Sequence, residues 1–288
     1  MPMASSDKIT RKAYGKINLA LDITGRRDDG YHLVRMILQT VDLYDLVTVE
    51  RRKEGISLTC DDPRVPTDEK NLVYKAARLM KQTFDLPFGV NIHIEKKIPM
   101  QGGMAGGSTD AAAVILAMDE MFDLHAKADI LDDLALKLGA DVPFCLRKGT
   151  YLAEGIGEKL TALPDAPHGY LVLIVPDFGI STVWAYEKAD EAKNLVHPDI
   201  DEIVKTIEKQ DLAKMASCMG NILEQVAVQE HPEISAVKEK LLHHGALGAM
   251  MTGSGSVIFG IFDEPKKADL CFEAFKGETY GKFKSQLG

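Results

Sequence analysis

Cysteine is scarce in this chain of 288 residues: Cys60, Cys145, Cys218 and Cys271 lie far apart, with no Cys-x-x-Cys pair. That spacing excludes a disulfide framework and a thiolate zinc site, and leaves reduced, mostly structural thiols of a cytoplasmic protein as the expectation. Positive charge is the minority sign, with 34 Lys and Arg against 43 Asp and Glu and a net charge of −9. A surface that neutralises nucleic-acid phosphates needs the opposite balance, so nucleic acid is not an expected partner and any phosphate site must be local. No apolar run approaches the roughly 18 residues of a spanning helix, and the opening MPMASSDKITRK lacks the apolar core of a signal peptide, so no membrane is expected as a partner. A His-Arg-Asp signature is missing too, so protein-kinase chemistry is not expected even though an isolated Asp-Phe-Gly occurs at 177–179. Repeats and low-complexity tracts are absent, and no His or carboxylate set has metal spacing, so the metal ligands stay open.

What is present is an ordinary globular composition, 45% hydrophobic and 27% charged, in a chain long enough for about two domains. The pattern loosens around Gly155-Ile156-Gly157-Glu158, which places the expected division at 1–158 and 159–288. The stretch Pro99–Ile115, PMQGGMAGGSTDAAAVI, reads as a glycine-rich loop feeding a helix. Gly102, Gly103, Gly106 and Gly107 let a ligand approach the backbone, Ser108 and Thr109 can cap the helix, and its exposed N–H groups suit an anion. Neither a Walker A lysine nor a Gly-x-Gly-x-x-Gly pattern is found here. A packing turn is the competing reading.

Upstream, AYGKINLALDITG alternates as a strand, with Ile17, Leu19, Leu21 and Ile23 on one face and Lys16 and Asn18 together on the other. In RRDDGYH, Asp29-Gly30 marks a turn followed at once by Tyr31 and His32, a pair suited to a planar ring. Strands are expected at Leu46–Arg51 and Ile56–Cys60, a helix at Asn71–Phe84, and a strand ending at Pro99, where Lys96 and Lys97 bring positive charge next to the loop. A helix ended by Gly139 leaves Asp141 on a helix-to-strand corner, placed for a general base or an ordinary turn. Beyond the division, a strand at 170–175, helices near Thr182–Glu191, Asp199–Lys209, Leu212–Met219 and Pro232–His244, two strands around Gly253-Ser254-Gly255-Ser256, a helix from Pro265 and a last strand at Tyr280–Lys284 give a ferredoxin-like order.

Four segments, AYGKINLALDITGRRDDGYH, PMQGGMAGGSTDAAA, LGADVPF and TGSGSVIF, together resemble the GHMP small-molecule kinases, the galactose, homoserine, mevalonate and phosphomevalonate kinases. The resemblance implies an α+β, two-domain GHMP kinase fold. Its N-terminal domain would be ribosomal-protein-S5-like and nucleotide-binding, with a left-handed βαβ feature, and its C-terminal domain ferredoxin-like, with the site in the cleft between. It implies a phosphotransferase using ATP and Mg²⁺ on an alcohol, with Pro99, Met100, Gly102, Gly103, Met104, Ala105, Gly106, Gly107, Ser108 and Thr109 around ATP and Asn71 near the adenine. Asp141 takes the catalytic-base position, Lys16 lies beside it, and Asn18 lines the same pocket. The Tyr31-His32 pair and Tyr186, in STVWAY, match positions that hold a cytosine ring. The acceptor so implied is a cytidine diphosphate sugar-alcohol, bound by a monomer or weak homodimer; a mevalonate-type or isopentenyl phosphate specificity is the alternative within the family. Three positions depart from the commonest motif: Ala105 stands for Gly, Asp110 for Asn or Ser, and Ser256 for Pro. Asp110 puts a negative charge near the phosphates, one that Mg²⁺ could offset.

Overall fold

The computed structural model describes residues 7–287. The first half of the opening segment read for a signal peptide, residues 1–6, lies outside the described residues. Along the chain come β1 (Lys8–Arg26), β2 (His32–Arg52), β3 (Ile56–Cys60), α1 (Leu72–Thr83), β4 (Gly89–Glu95), α2 (Gly106–Met121), α3 (Ala128–Leu138) and α4 (Val142–Cys145). There follow β5 (Thr150–Glu154), β6 (Lys159–Ala162), β7 (Gly169–Val175), α5 (Thr182–Glu191), α6 (Ile200–Glu208) and α7 (Leu212–Cys218). The chain then forms β8 (Gly220–Asn221), α8 (Ile222–Glu230), α9 (Glu233–His243), β9 (Gly248–Met251), β10 (Ile258–Phe262), α10 (Pro265–Ala274) and β11 (Gly281–Leu287).

Two compact units interleave in sequence: one holds the residues up to Gly15, Tyr44–Met100 and Ala105–Lys148, the other Lys16–Leu43, Gln101–Met104 and the chain from Gly149 onward. The reason is that β1 and β2 each lend one half to each unit. The single cut expected at 158 does not follow this division, and it falls in a hairpin, because β5 and β6 pair antiparallel from Tyr151 opposite Ala162 to Glu154 opposite Lys159. Glycines there mark a tight turn, with Gly155 and Gly157 both at positive φ.

In the first unit β3 pairs parallel with β4, and β4 antiparallel with the second half of β2. Val47, Val49, Ile92 and Ile94 join Ala76, Met80, Ala112 and Met118 of α1 and α2 in one apolar core. Helix α2 carries alanines at 111, 112, 113 and 117, all buried, so neighbouring elements can approach it closely.

In the second unit the first half of β2 pairs with β5, and β1 pairs parallel with β8. A separate four-stranded sheet has the order β11-β7-β10-β9, every pairing antiparallel. Counted within that sheet the order is 4-1-3-2, the ferredoxin-like topology. Helix α8 was not foreseen. Nor was the length of β2, expected only from Leu46. Its first half is largely buried, so HLVRMILQTV shows little alternation.

Candidate active site

Strand β1 differs from its expected half-solvated form: every residue from Gly15 to Asp22 is buried, Lys16 at 5% exposure and Asn18 at 0%. Burying an ammonium demands partners. Lys16 Nζ donates to Asn18 Oδ1 at 2.8 Å. Asn18 is itself fixed, its backbone N–H donating to Thr252 Oγ1 at 2.9 Å while the Thr252 hydroxyl lies 3.3 Å from Asn18 Oδ1. Among the described residues one of the three ammonium donors is thus used, which leaves Lys16 able to meet an anion.

The first part of the glycine loop rests on the same framework. Lys16 N–H donates to Met104 O at 3.2 Å and Val257 N–H to Gly102 O at 3.3 Å. A Cβ on Gly103, whose φ is +75°, would stand 2.1 Å from Thr252 O, so this close approach of two backbones requires glycine. Asn221, which the sequence reading passed over, holds the Gly253–Ser256 turn: its Nδ2 donates to Met251 O and Gly253 O, both at 2.8 Å, and its Oδ1 accepts Leu223 N–H at 3.0 Å to cap α8. An Asn directly before an apolar helical run was a signal available for it.

The helix after the loop starts earlier than expected. Its N-cap is Ala105, at φ 58° in the left-handed region, so Ser108 and Thr109 are in the first turn and do not cap it. Thr109 Oγ1 instead donates to Tyr14 O at 2.7 Å. The left-handed backbone explains why glycine suits position 105. Lys96 is not the free cation the sequence suggested. Its side chain is 6% exposed and pairs with Asp45 Oδ2 and, at 2.7 Å, with Asp110 Oδ2. Asp110 Oδ1 is buried without a hydrogen-bond partner among the described residues. Burial pushes the Asp110 carboxyl up to about 7, the Lys96 ammonium opposing and Asp45 adding to the rise. Burial lowers the Lys96 ammonium, but Asp110 and Asp45 outweigh it and hold the group above the ordinary lysine range. The charge of Asp110 is therefore met by a lysine of the chain.

Asp141 is partly exposed and serves as N-cap residue of the short α4, its side chain making no cap bond. The corner is thus helix to helix rather than helix to strand, because Val142-Pro143 starts a new turn. Asn71 caps α1, accepting Val73 N–H at 2.9 Å and donating to Pro66 O at 2.6 Å. Pro99 and Met100 are half-buried ahead of the loop.

The aromatic group comes together in the second unit. His32 stacks on Tyr186, centroids 4.7 Å apart and planes at 29°. Asp190 sits one helical turn beyond Tyr186 on α5, and its Oδ1 lies 2.8 Å from His32 Nε2. Arg26 bonds the other oxygen of Asp190 at 3.1 Å and also Gly30 O at 3.2 Å. Tyr31 is 61% exposed at the turn, beside this stack in sequence. Asp190 was not anticipated, since the i, i+4 relation to Tyr186 gains meaning only once His32 faces that helix. Among the described residues no three or more His, Cys, Asp or Glu side chains converge as a metal site, and no helix is long and apolar enough to cross a membrane.

A glycine loop opening a helix, a buried lysine and a four-stranded sheet of ferredoxin-like order thus occur in one chain. Two family models match the chain: the GHMP kinases N terminal domain over residues 71–149 and the GHMP kinases C terminal over residues 197–281. The chain belongs to the GHMP kinases. It is 50% identical over 265 residues, 92% of its length and 95% of the relative's, to the 4-diphosphocytidyl-2-C-methyl-D-erythritol kinase of Clostridium botulinum (strain Eklund 17B / Type B). To the enzyme of the same name from Lachnoclostridium phytofermentans it is 48% identical, covering 96% of this chain and 95% of that one. A crystal structure of 4-(cytidine 5'-diphospho)-2C-methyl-D-erythritol kinase superposes with TM-score 0.83 at 31% identity, covering 97% and 99% of the two chains. Homoserine kinase from Cytophaga hutchinsonii, at TM-score 0.81 and 21% identity, covers 100% of this chain and 96% of its own and shares the fold.

Proposed function

We propose that this protein transfers the γ-phosphoryl group of ATP to the 2-hydroxyl of 4-diphosphocytidyl-2-C-methyl-D-erythritol, giving the 2-phosphate and ADP in the non-mevalonate route to isoprenoid precursors. The observation that carries the acceptor is the His32–Tyr186 stack anchored on Asp190, a planar surface with a hydrogen-bonding edge that an acceptor without a pyrimidine would leave unused. The identity to relatives of that name supports the same reading.

Phosphoryl transfer asks for in-line positioning and charge neutralisation rather than covalent catalysis. Gly102–Thr109 supplies backbone N–H groups to the ATP phosphates, with Asn71 fixing the start of α1 on the adenine side. Magnesium would come with the nucleotide as part of that substrate and would neutralise part of the phosphate charge, since Mg²⁺ is commonly held through substrate phosphates. Asp141 takes the proton of the acceptor hydroxyl as its oxygen bonds to phosphorus and the bond to the β-phosphate oxygen breaks. Lys16, held by Asn18, steadies the negative charge on the transferred group. Tyr31, His32 and Tyr186 hold the cytosine. The enzyme acts in the cytoplasm.

An ADP-release assay with the cytidine diphosphate acceptor, mevalonate and isopentenyl phosphate in parallel tests the specificity: turnover is expected with the first alone. In the same assay Asp141→Asn is expected to lower kcat by about 10²–10⁴ with acceptor binding retained. Near-normal turnover by that variant sinks the base assignment.

A further inference from the structure

The glycine loop is anchored at both of its ends by one buried ammonium. Asp45, in the middle of β2, turns one carboxylate oxygen to the backbone N–H groups of Lys97 and Ile98, at 2.5 and 2.8 Å, and the other to Lys96 Nζ. Those residues are the approach to the loop. On the far side Lys96 Nζ reaches Asp110 Oδ2 at 2.7 Å, in the first turn of α2. Gly106, the first residue of that helix, makes room for the arrangement: a Cβ there would stand 3.0 Å from Lys96 Nζ and 3.2 Å from Ile98 Cγ2. All three charged side chains are almost completely removed from solvent, at 6% for Lys96, 0% for Asp45 and 3% for Asp110.

We infer that Asp45, Lys96 and Asp110 form a clasp that fixes the separation of the loop's two ends, and that they are positioning residues for the ATP phosphates. The inference rests on the reading of the glycine loop as the phosphate cradle. Buried ion pairs are a poor device for stability alone, since the loss of hydration offsets the attraction and an apolar trio of similar volume does as well. What the clasp supplies is directional: two backbone N–H bonds fix the entry strand, and an ammonium of fixed reach ties that strand to the helix start. Gly106 serves the lysine, while Gly107, whose added Cβ would meet nothing closer than Leu72 Cδ1 at 3.9 Å, is open toward a ligand.

Steady-state kinetics of the full-length enzyme, with each substrate varied in turn, tests this together with thermal melting. Asp110→Ala and Lys96→Met are expected to raise the KM for ATP at least tenfold while the KM for the cytidine diphosphate acceptor moves less than twofold. Asp110→Asn, which keeps an oxygen for Lys96, is expected to restore most of the ATP affinity. A cluster that only holds the fold together would lower the melting temperature or the active fraction and leave the KM for ATP in place, and that result overturns the clasp, as does an equal rise in both KM values. Should Lys96→Met not fold, the Asp110→Ala and Asp110→Asn pair decides the matter. Gly107→Ala is the control on the cradle. If it raises the KM for ATP and Asp110→Ala does not, the clasp alone is wrong; if Gly107→Ala leaves ATP untouched, the phosphate-loop reading falls and the clasp with it.

Discussion

Asp110 changes its meaning between sequence and structure. In the sequence it is a carboxylate beside the glycine loop whose charge Mg²⁺ could offset; in the fold it faces Lys96, with Asp45 across the ammonium. Burial raises the Asp110 carboxyl to about 7, and the second carboxylate, Asp45, sharing the one lysine, adds to the rise. A folded-state value raised above the unfolded one means that the folded chain holds a proton the unfolded chain has released. The stabilising contribution is complete below about pH 4, the ordinary aspartate range, and is lost as pH rises through about 7. Asp110→Asn removes that dependence. The melting temperature of the variant minus that of the parent is therefore expected to increase between pH 5 and pH 8, by a few degrees. A difference that stays flat across that range would place the proton elsewhere. Lys16 and Asn18 could be read as sharing a side because strand alternation fixes it. Their burial could not, and neither could Asp45 as the partner of Lys96 or Asp190 as the partner of His32, because these contacts join residues 51 and 158 positions apart.

Elements were legible where one face meets water. Helices α1, α3 and α6 have apolar residues at helical spacing and were placed within a residue or two of their ends. Helix α8 has Ile222, Leu223, Val226 and Ala227 inward at helical spacing, but Glu224 points inward with them, where it accepts Met251 N–H at 2.6 Å and pairs with Lys238. A buried glutamate reads as a surface one, so the helix was missed. With it went Asn221, whose side chain joins β8, the start of α8 and the Gly253–Ser256 turn. Asn221→Ala leaves the Met251 and Gly253 carbonyls and the Leu223 N–H without that side chain, at a site only 4% exposed. The expected loss is about 2–4 kcal/mol, from the unmet buried groups and the lost cap. Urea denaturation should move its midpoint down with the slope unchanged. A change under about 1 kcal/mol would mean that water replaces the amide.

At the scale of the whole chain, the family was legible from four short segments, whereas the interleaving of the two units was not, because half of a long strand looks the same whichever unit it serves. The functional reading assigns the nucleotide phosphates to the glycine loop and a cytosine to His32 and Tyr186, two separate sets of groups. Ligands that bind only the folded chain stabilise it by about 2.7 kcal/mol at a hundred times their dissociation constant. ADP with magnesium and CMP, each near that excess, should therefore each raise the melting temperature by several degrees. Because the assigned groups differ, the two shifts should add when both ligands are present; if both occupied the nucleotide loop they would compete, and the combined shift would match the larger one alone. His32→Ala should abolish the CMP shift and keep the ADP shift, since it takes away the ring that stacks on Tyr186 and leaves the loop intact. CMP that competes with ADP, or that stabilises the His32→Ala protein as well as the parent, would remove the cytidine site from this stack and reopen the choice of acceptor.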